Sequence, residues 1–189
     1  MNIFIDTISN KANIILFDSN KKIINNTSWI IKWNESSTLI PEIDKLLKKN
    51  NANYLSLENI IVINWPWSFT WVRTTVLAIN TINYIIKKNI TPINFFDLYN
   101  SYPIIKSSSK RDCFFKKSKS SKIKILNNND INTFLQKNNI KKVYGEANNK
   151  LFEKIEILEK IDYLSIITNI KFENKKQIEP LYIKKPNIS

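Results

Sequence analysis

Chemistry in this 189-residue chain has to come from carboxylates, amines and hydroxyls, because the sequence holds no histidine and a single cysteine, Cys113. Without imidazole there is no ordinary general base near neutral pH, no Ser-His-Asp or Cys-His relay and no usual zinc site. A lone cysteine forms no internal disulfide and no cysteine metal cluster. Three stretches remain. Asp6-Thr7 closes an apolar run at the N-terminus, where a carboxylate could hold a hydrated magnesium ion and a hydroxyl could reach a phosphate oxygen; an ordinary turn is the other reading. Lys116, Lys117, Lys119, Lys122 and Lys124 stand among serines, with Lys110 upstream, as either a phosphate-contacting loop or a solvated hairpin turn. The third is Trp65-Pro66-Trp67-Ser68-Phe69-Thr70-Trp71-Val72-Arg73.

The elements around that third stretch define it. Ile60 to Ile63 reads as a buried strand, and Val72 to about Lys88 reads as a helix, so the residues between them make a strand-to-helix turn. Such a turn favours glycine, which reaches positive φ and lets the backbone approach a neighbour or an anion. An average chain is about 7% glycine, yet this one has only Gly145 alongside Trp29, Trp33, Trp65, Trp67 and Trp71. UGA is read as glycine in some bacterial lineages and as tryptophan in others. We therefore read the five tryptophans as UGA positions that stand for glycine in the natural protein. Read as glycine, the turn has Ser68 or Thr70 as helix cap and Arg73 in the first turn.

Residues 2–6 and 12–18 read as a hairpin of two strands, followed by a strand around Lys22 to Ile24. Ser36, Ser37 and Thr38 cap a helix that runs to about Lys49, with Pro41 near its first turn and an apolar stripe of Leu39, Ile40, Ile43, Leu46 and Leu47. In the helix after the turn, Val72, Val76, Ile79 and Ile86 share one stripe; Thr75, Ala78, Ile82 and Ile85 continue it, and Arg73, Asn80, Asn83 and Lys87 mark a thin polar edge. A helix apolar over more than half its circumference is buried on two sides, either under the chain's own second layer or against another subunit. Pro103 and the serines 107–109 mark a subdomain boundary, giving subdomains 1–100 and 101–189 with the C-terminal segment returning to the first.

The net charge of +13 invites nucleic acid, but only Arg73 and Arg111 are arginine. The many lysines, with abundant asparagine and isoleucine, are also what an A/T-rich genome produces. No apolar run approaches the roughly 20 residues of a membrane span, and the N-terminus lacks a signal-peptide pattern, so a cytoplasmic location is expected.

With glycine at 65, 67 and 71 the turn reads G-P-G-S-F-T-G-V-R, which resembles the signature of the TsaB (YeaZ) family, the non-catalytic partner in bacterial threonylcarbamoyladenosine modification of tRNA. Residues Glu35 to Leu47 resemble that family's H-S-x-x-L-x-P-x-I-x-x-L-L helix, with Glu35 at the usual histidine. Leu55 to Ile60 resembles its L-x-D-I-D-A-I segment, and Asn94 to Tyr99 its V-S-S-L-E-A-L segment. The likeness is strong over 35–98 and weak over 110–175. It implies an α/β, actin-like ATPase (RNase H-like) fold: a mixed sheet flanked by helices, in two subdomains with a reduced second one. The implied function is scaffolding rather than catalysis, by binding a TsaD-type catalytic subunit as a heterodimer, with a TsaE-type ATPase in the larger complex and tRNA reached through it. A homodimer is the other arrangement. The implied interface is Leu39, Ile43, Leu46, Val72, Val76, Ile79, Ile82, Asn83 and Ile86. No cofactor is required and no metal is expected; ATP or ADP with Mg, weakly held at Asp6 and Thr7, is the cofactor reading. Two other functions stay open: a small-molecule kinase or ATPase of the same fold, and an RNA-binding module in which Trp65, Trp67 and Trp71 stack bases beside lysines.

Overall fold

A computed structural model describes residues 1–31, 35–65, 69–148, 152 and 154–181, with positions 35, 36 and 69–71 defined by backbone alone. The chain forms two compact units, Met1–Phe95 with Leu164–Ser189 and Phe96–Tyr163. The division falls after Phe95, ahead of the serine-rich segment in which the sequence places it, and the chain re-enters the first unit at Leu164.

The first unit begins with β1 (Asn2–Asp6), β2 (Lys11–Phe17) and β3 (Ile23–Ile30), followed by α1 (Glu35–Lys49), β4 (Asn59–Trp65), α2 (Phe69–Ile86) and β5 (Asn89–Asn94). Its sheet runs β3-β2-β1-β4-β5. β1 to β3 form an antiparallel meander, with Ile3 opposite Leu16 and Ala12 opposite Trp29. β4 and β5 add in parallel, with Ile3 opposite Ile60 and Ile60 opposite Ile90. β1 is buried at every position and β4 at its five central ones, which is why they read as unbroken apolar runs. The edge strand β3 is only half-buried. Leu39, Ile43, Leu46 and Leu47 of α1 and Val72, Val76 and Ile79 of α2 complete the core. The two helices pack on each other, α1 also on β3 and α2 on β4.

The second unit contains β6 (Ile104–Ser107), β7 (Asp112–Lys116), β8 (Lys124–Asn127), α3 (Ile131–Lys137), β9 (Lys142–Glu146) and β10 (Glu156–Leu158). Its sheet order is β8-β7-β6-β9-β10, again a meander with two parallel strands added to its first strand. The two units therefore repeat one topology. The unit is the shorter of the two: between β9 and β10, where the first unit places α2, the described residues form no helix. Ile105, Cys113, Phe115, Ile131, Leu135 and Val143 make its core. Gly145 has φ +115, and a Cβ there would lie 2.0 Å from the Ile105 carbonyl oxygen, so β6 and β9 approach as only glycine permits. Other turns manage without glycine: Asn51, Lys87 and Asn139, just past α1, α2 and α3, take φ of 52, 54 and 52. After β10 comes α4 (Tyr163–Asn169) and then an extended segment that belongs to the first unit.

Candidate functional site

The hairpin turn after β1 gathers the first candidate residues and occupies them. Asp6 Oδ1 accepts the backbone N–H groups of Ile8 at 2.9 Å and Ser9 at 3.0 Å, while Oδ2 accepts the Ser9 hydroxyl at 2.5 Å. The Thr7 hydroxyl lies 2.7 Å from that of Thr75 on α2. Asp6 is 0% and Thr7 2% exposed. The turn reading of Asp-Thr is the one the geometry takes: the carboxylate folds the hairpin, and the threonine pins it to α2. Both side chains are turned inward and used by the turn and by α2.

Trp65 ends β4, half-buried, and pairs with Asn94 across a register shift that follows Ile63. Pro66, Trp67 and Ser68 lie outside the described residues. Phe69, Thr70 and Trp71 begin α2, and their side chains are also outside the described set. Arg73 points to solvent. Among the described residues positive φ occurs at Lys21, Asn51, Lys87, Asn139, Lys154 and Gly145, so neither Trp65 nor Trp71 carries the backbone strain that a glycine-type turn predicts there. Elsewhere, the Trp29 Nε1–H on β3 is buried with no hydrogen-bond partner among the described residues.

The nine interface residues divide sharply. Leu39, Ile43, Leu46, Val72, Val76, Ile79 and Asn83 are each at most 3% exposed, buried in the first unit's own core; Ile82 and Ile86 are half-buried. This corrects the assignment for those seven, since a side chain enclosed by its own unit cannot also cover a partner. The apolar stripe that sequence periodicity picks out is the one facing the sheet and α1. The solvent-facing stripe is Leu77 (66% exposed), Thr81, Tyr84 (85%) and Ile85 (74%). Its i, i+4, i+7, i+8 spacing was itself a legible helical signal.

The polar edge of α2 holds the C-terminal segment. The Asn80 amide donates to the Ile178 carbonyl at 2.8 Å and accepts the Ile178 N–H at 3.1 Å. Asn83 Nδ2 donates to the carbonyls of Lys176 at 2.8 Å and Lys88 at 3.0 Å, and Oδ1 accepts the Lys88 N–H at 2.8 Å. Asn64, on β4, donates to the Glu179 carbonyl at 3.1 Å. On the sheet edge, Ile90 N–H reaches the Lys175 carbonyl at 2.7 Å and Thr91 Oγ1 accepts the Glu173 N–H at 2.8 Å. Ile178 is buried, whereas residues 171–177 are exposed. The asparagines thus grip the segment by its peptide groups. A cleft of about 600 Å³ beside it is lined by Asn83, Tyr84, Lys87, Lys176 and Gln177.

Other reactive groups are enclosed. Burial, helped by Asp112, pushes the Cys113 thiol up to about 12, far from a thiolate at neutral pH. Lys106 and Glu146 pair at 2.5 Å, the lysine fully buried. No group of three or more Cys, Asp and Glu residues is placed to hold a metal among the described residues. No described helix is long and apolar enough to cross a membrane.

No family model and no curated protein matches the chain by sequence. Solved structures do match. A protein described as uncharacterized, with similarity to peptidase YeaZ from Pseudomonas aeruginosa, aligns at a TM-score of 0.71 and 12% identity over 97% of this chain and 100% of that one. YeaZ from Pseudomonas aeruginosa aligns at 0.56 and 12% over 67% of each. The chain therefore has the mixed α/β fold of these YeaZ structures, two mixed sheets flanked by helices.

Proposed function

We propose that this protein is the scaffold and activating subunit in threonylcarbamoyladenosine modification of tRNA, docking a TsaD-type catalytic subunit and carrying no catalytic group of its own. The observation that carries the reading is the outer face of α2: Leu77, Tyr84 and Ile85 are exposed on the side away from Val72, Val76 and Ile79, which the helix's own unit encloses. Exposed aromatic and aliphatic side chains on a rigid helix are what a helix-packed subunit interface requires. The fold supports the choice of partner, because it is that of YeaZ. The engagement of Asp6 in its own turn and the lack of histidine favour scaffolding over phosphoryl or acyl transfer. In this reading the larger complex adds a TsaE-type ATPase, tRNA is reached through the complex, and the setting is the cytoplasm.

The test is co-elution of the purified chain with its TsaD-type subunit. Leu77→Glu combined with Tyr84→Glu should leave the fold intact, because both side chains are exposed, and should weaken binding by about a hundredfold or more, the effect of losing two anchors of an interface. Ile79→Glu is unsuitable, since it places a charge in the core. A folded double variant that binds like the parent would refute the interface.

A further inference from the structure

We propose that the tip of the β7–β8 hairpin, Lys117, Lys119 and Lys122 flanked by Lys116 and Lys124, is a contact for the phosphate backbone of RNA. The tip is an ordered turn: Ser118 N–H donates to Ser121 Oγ at 2.8 Å, and the Ser121 N–H and hydroxyl both donate to the Ser118 carbonyl, at 3.1 and 2.9 Å. Lys117, Lys119, Lys122 and Lys124 are exposed. At the base, Lys116 lies about 6 Å from the ring centres of Phe96 and Tyr102, and Lys124 the same from Phe134. Both therefore stand by rings of their own unit.

Compositional bias alone scatters lysines, some beside carboxylates and some, such as Lys11, Lys22 and Lys49, with no ion pair among the described residues; the hairpin differs in holding five lysines within nine positions. Lys48 pairs with Asp44 at 2.7 Å, Lys175 with Glu173 at 2.8 Å, and Lys45 and Lys142 with Glu42 and Glu156 at 3.8 Å. At the hairpin, no described carboxylate lies within ion-pair distance of any of the five lysines. The segment from Lys116 to Lys124 contains no acidic residue at all. Like charges held this close in a fixed turn repel one another and gain most from a polyanion. The occupant is chosen by what the tip lacks. It has a single half-buried apolar residue, Ile123, too little to insert into a lipid surface or to anchor a protein interface. It has lysines and serines, no arginine and no aromatic ring, which suits point contacts to phosphate oxygens and gives no reading of bases. Binding is therefore independent of RNA sequence and steeply dependent on salt.

The proposal goes beyond the scaffold reading, and the isolated chain tests it, so it survives or fails whether or not a partner co-elutes. A fluorescein-labelled RNA stem-loop is titrated with the parent, with K117Q/K119Q/K122Q, and with K11Q/K22Q/K49Q, which removes the same charge from exposed sites of the first unit. The hairpin triple should bind about tenfold or more weakly, and its slope of log affinity against log salt should fall by about 2 to 3, the release expected for three phosphate contacts. The control triple should stay within about twofold of the parent, with its slope kept. K117R/K119R/K122R retains the charge and should bind like the parent, separating charge from folding. Equal losses in both glutamine triples, or no loss in the hairpin triple, would overturn the proposal. So would a hairpin triple that loses poly-glutamate binding while keeping RNA, because the surface would then fit an acidic protein.

Discussion

At the residue scale, two side chains shift from candidate chemistry to architecture. Asp6 is the type of residue that magnesium and phosphate would use, yet both its oxygens are engaged by the turn that follows it. The pair Asp-Thr was legible in the sequence; the third partner, Thr75 on α2, was not, because no spacing rule joins residues so distant in the chain. Gly145 is the clearest case of a residue whose identity is dictated. Gly145→Ala would set a methyl carbon 2.0 Å from the Ile105 carbonyl oxygen, at a φ of +115. We expect a loss of about 4 kcal/mol or more in urea denaturation, with the second unit's strands losing amide protection first. A variant as stable as the parent would show that β6 and β9 separate easily.

At the element scale, periodicity found α2 and misassigned its faces. The stripe of Val72, Val76 and Ile79 was legible as apolar, but an apolar stripe has the same spacing whether it faces a sheet or a partner. β6 was missed for a different reason. Its four residues, Ile104–Ser107, follow Pro103 and run into serines, so they read as linker. The asparagines of α2 looked like a solvated edge because asparagine on a helix usually is one. Here Asn80 makes two hydrogen bonds to the peptide group of Ile178, as a neighbouring strand would. Asn80→Ala leaves both backbone groups without that partner and is expected to cost about 1–3 kcal/mol. Limited proteolysis reads this directly: cleavage within residues 171–177 should quicken severalfold while the rest of the chain resists.

At the scale of the whole molecule, the fold class and the division in two were legible, but the repetition was not. The two units share a strand order without a shared sequence pattern. Topology depends on which runs are apolar and how they connect, and many spellings satisfy that. The tryptophans also sort by unit: all five precede residue 95, and residues 96–163 contain none. If the five tryptophans are UGA positions that stand for glycine, the protein isolated from its native host has the intact mass of a chain with glycine at 29, 33, 65, 67 and 71. A mass carrying all five indoles would remove that reading of the codons. The segment held by Asn64, Asn80 and Asn83 has a consequence in mutational drift. A grip on peptide groups is blind to side chains, so Gln177 and Glu179 can change almost freely while the three asparagines, and Lys176 whose Nζ donates to Asn89 Oδ1 at 2.8 Å, cannot. Selection there acts on the chain's length and path, and its lettering is left to wander.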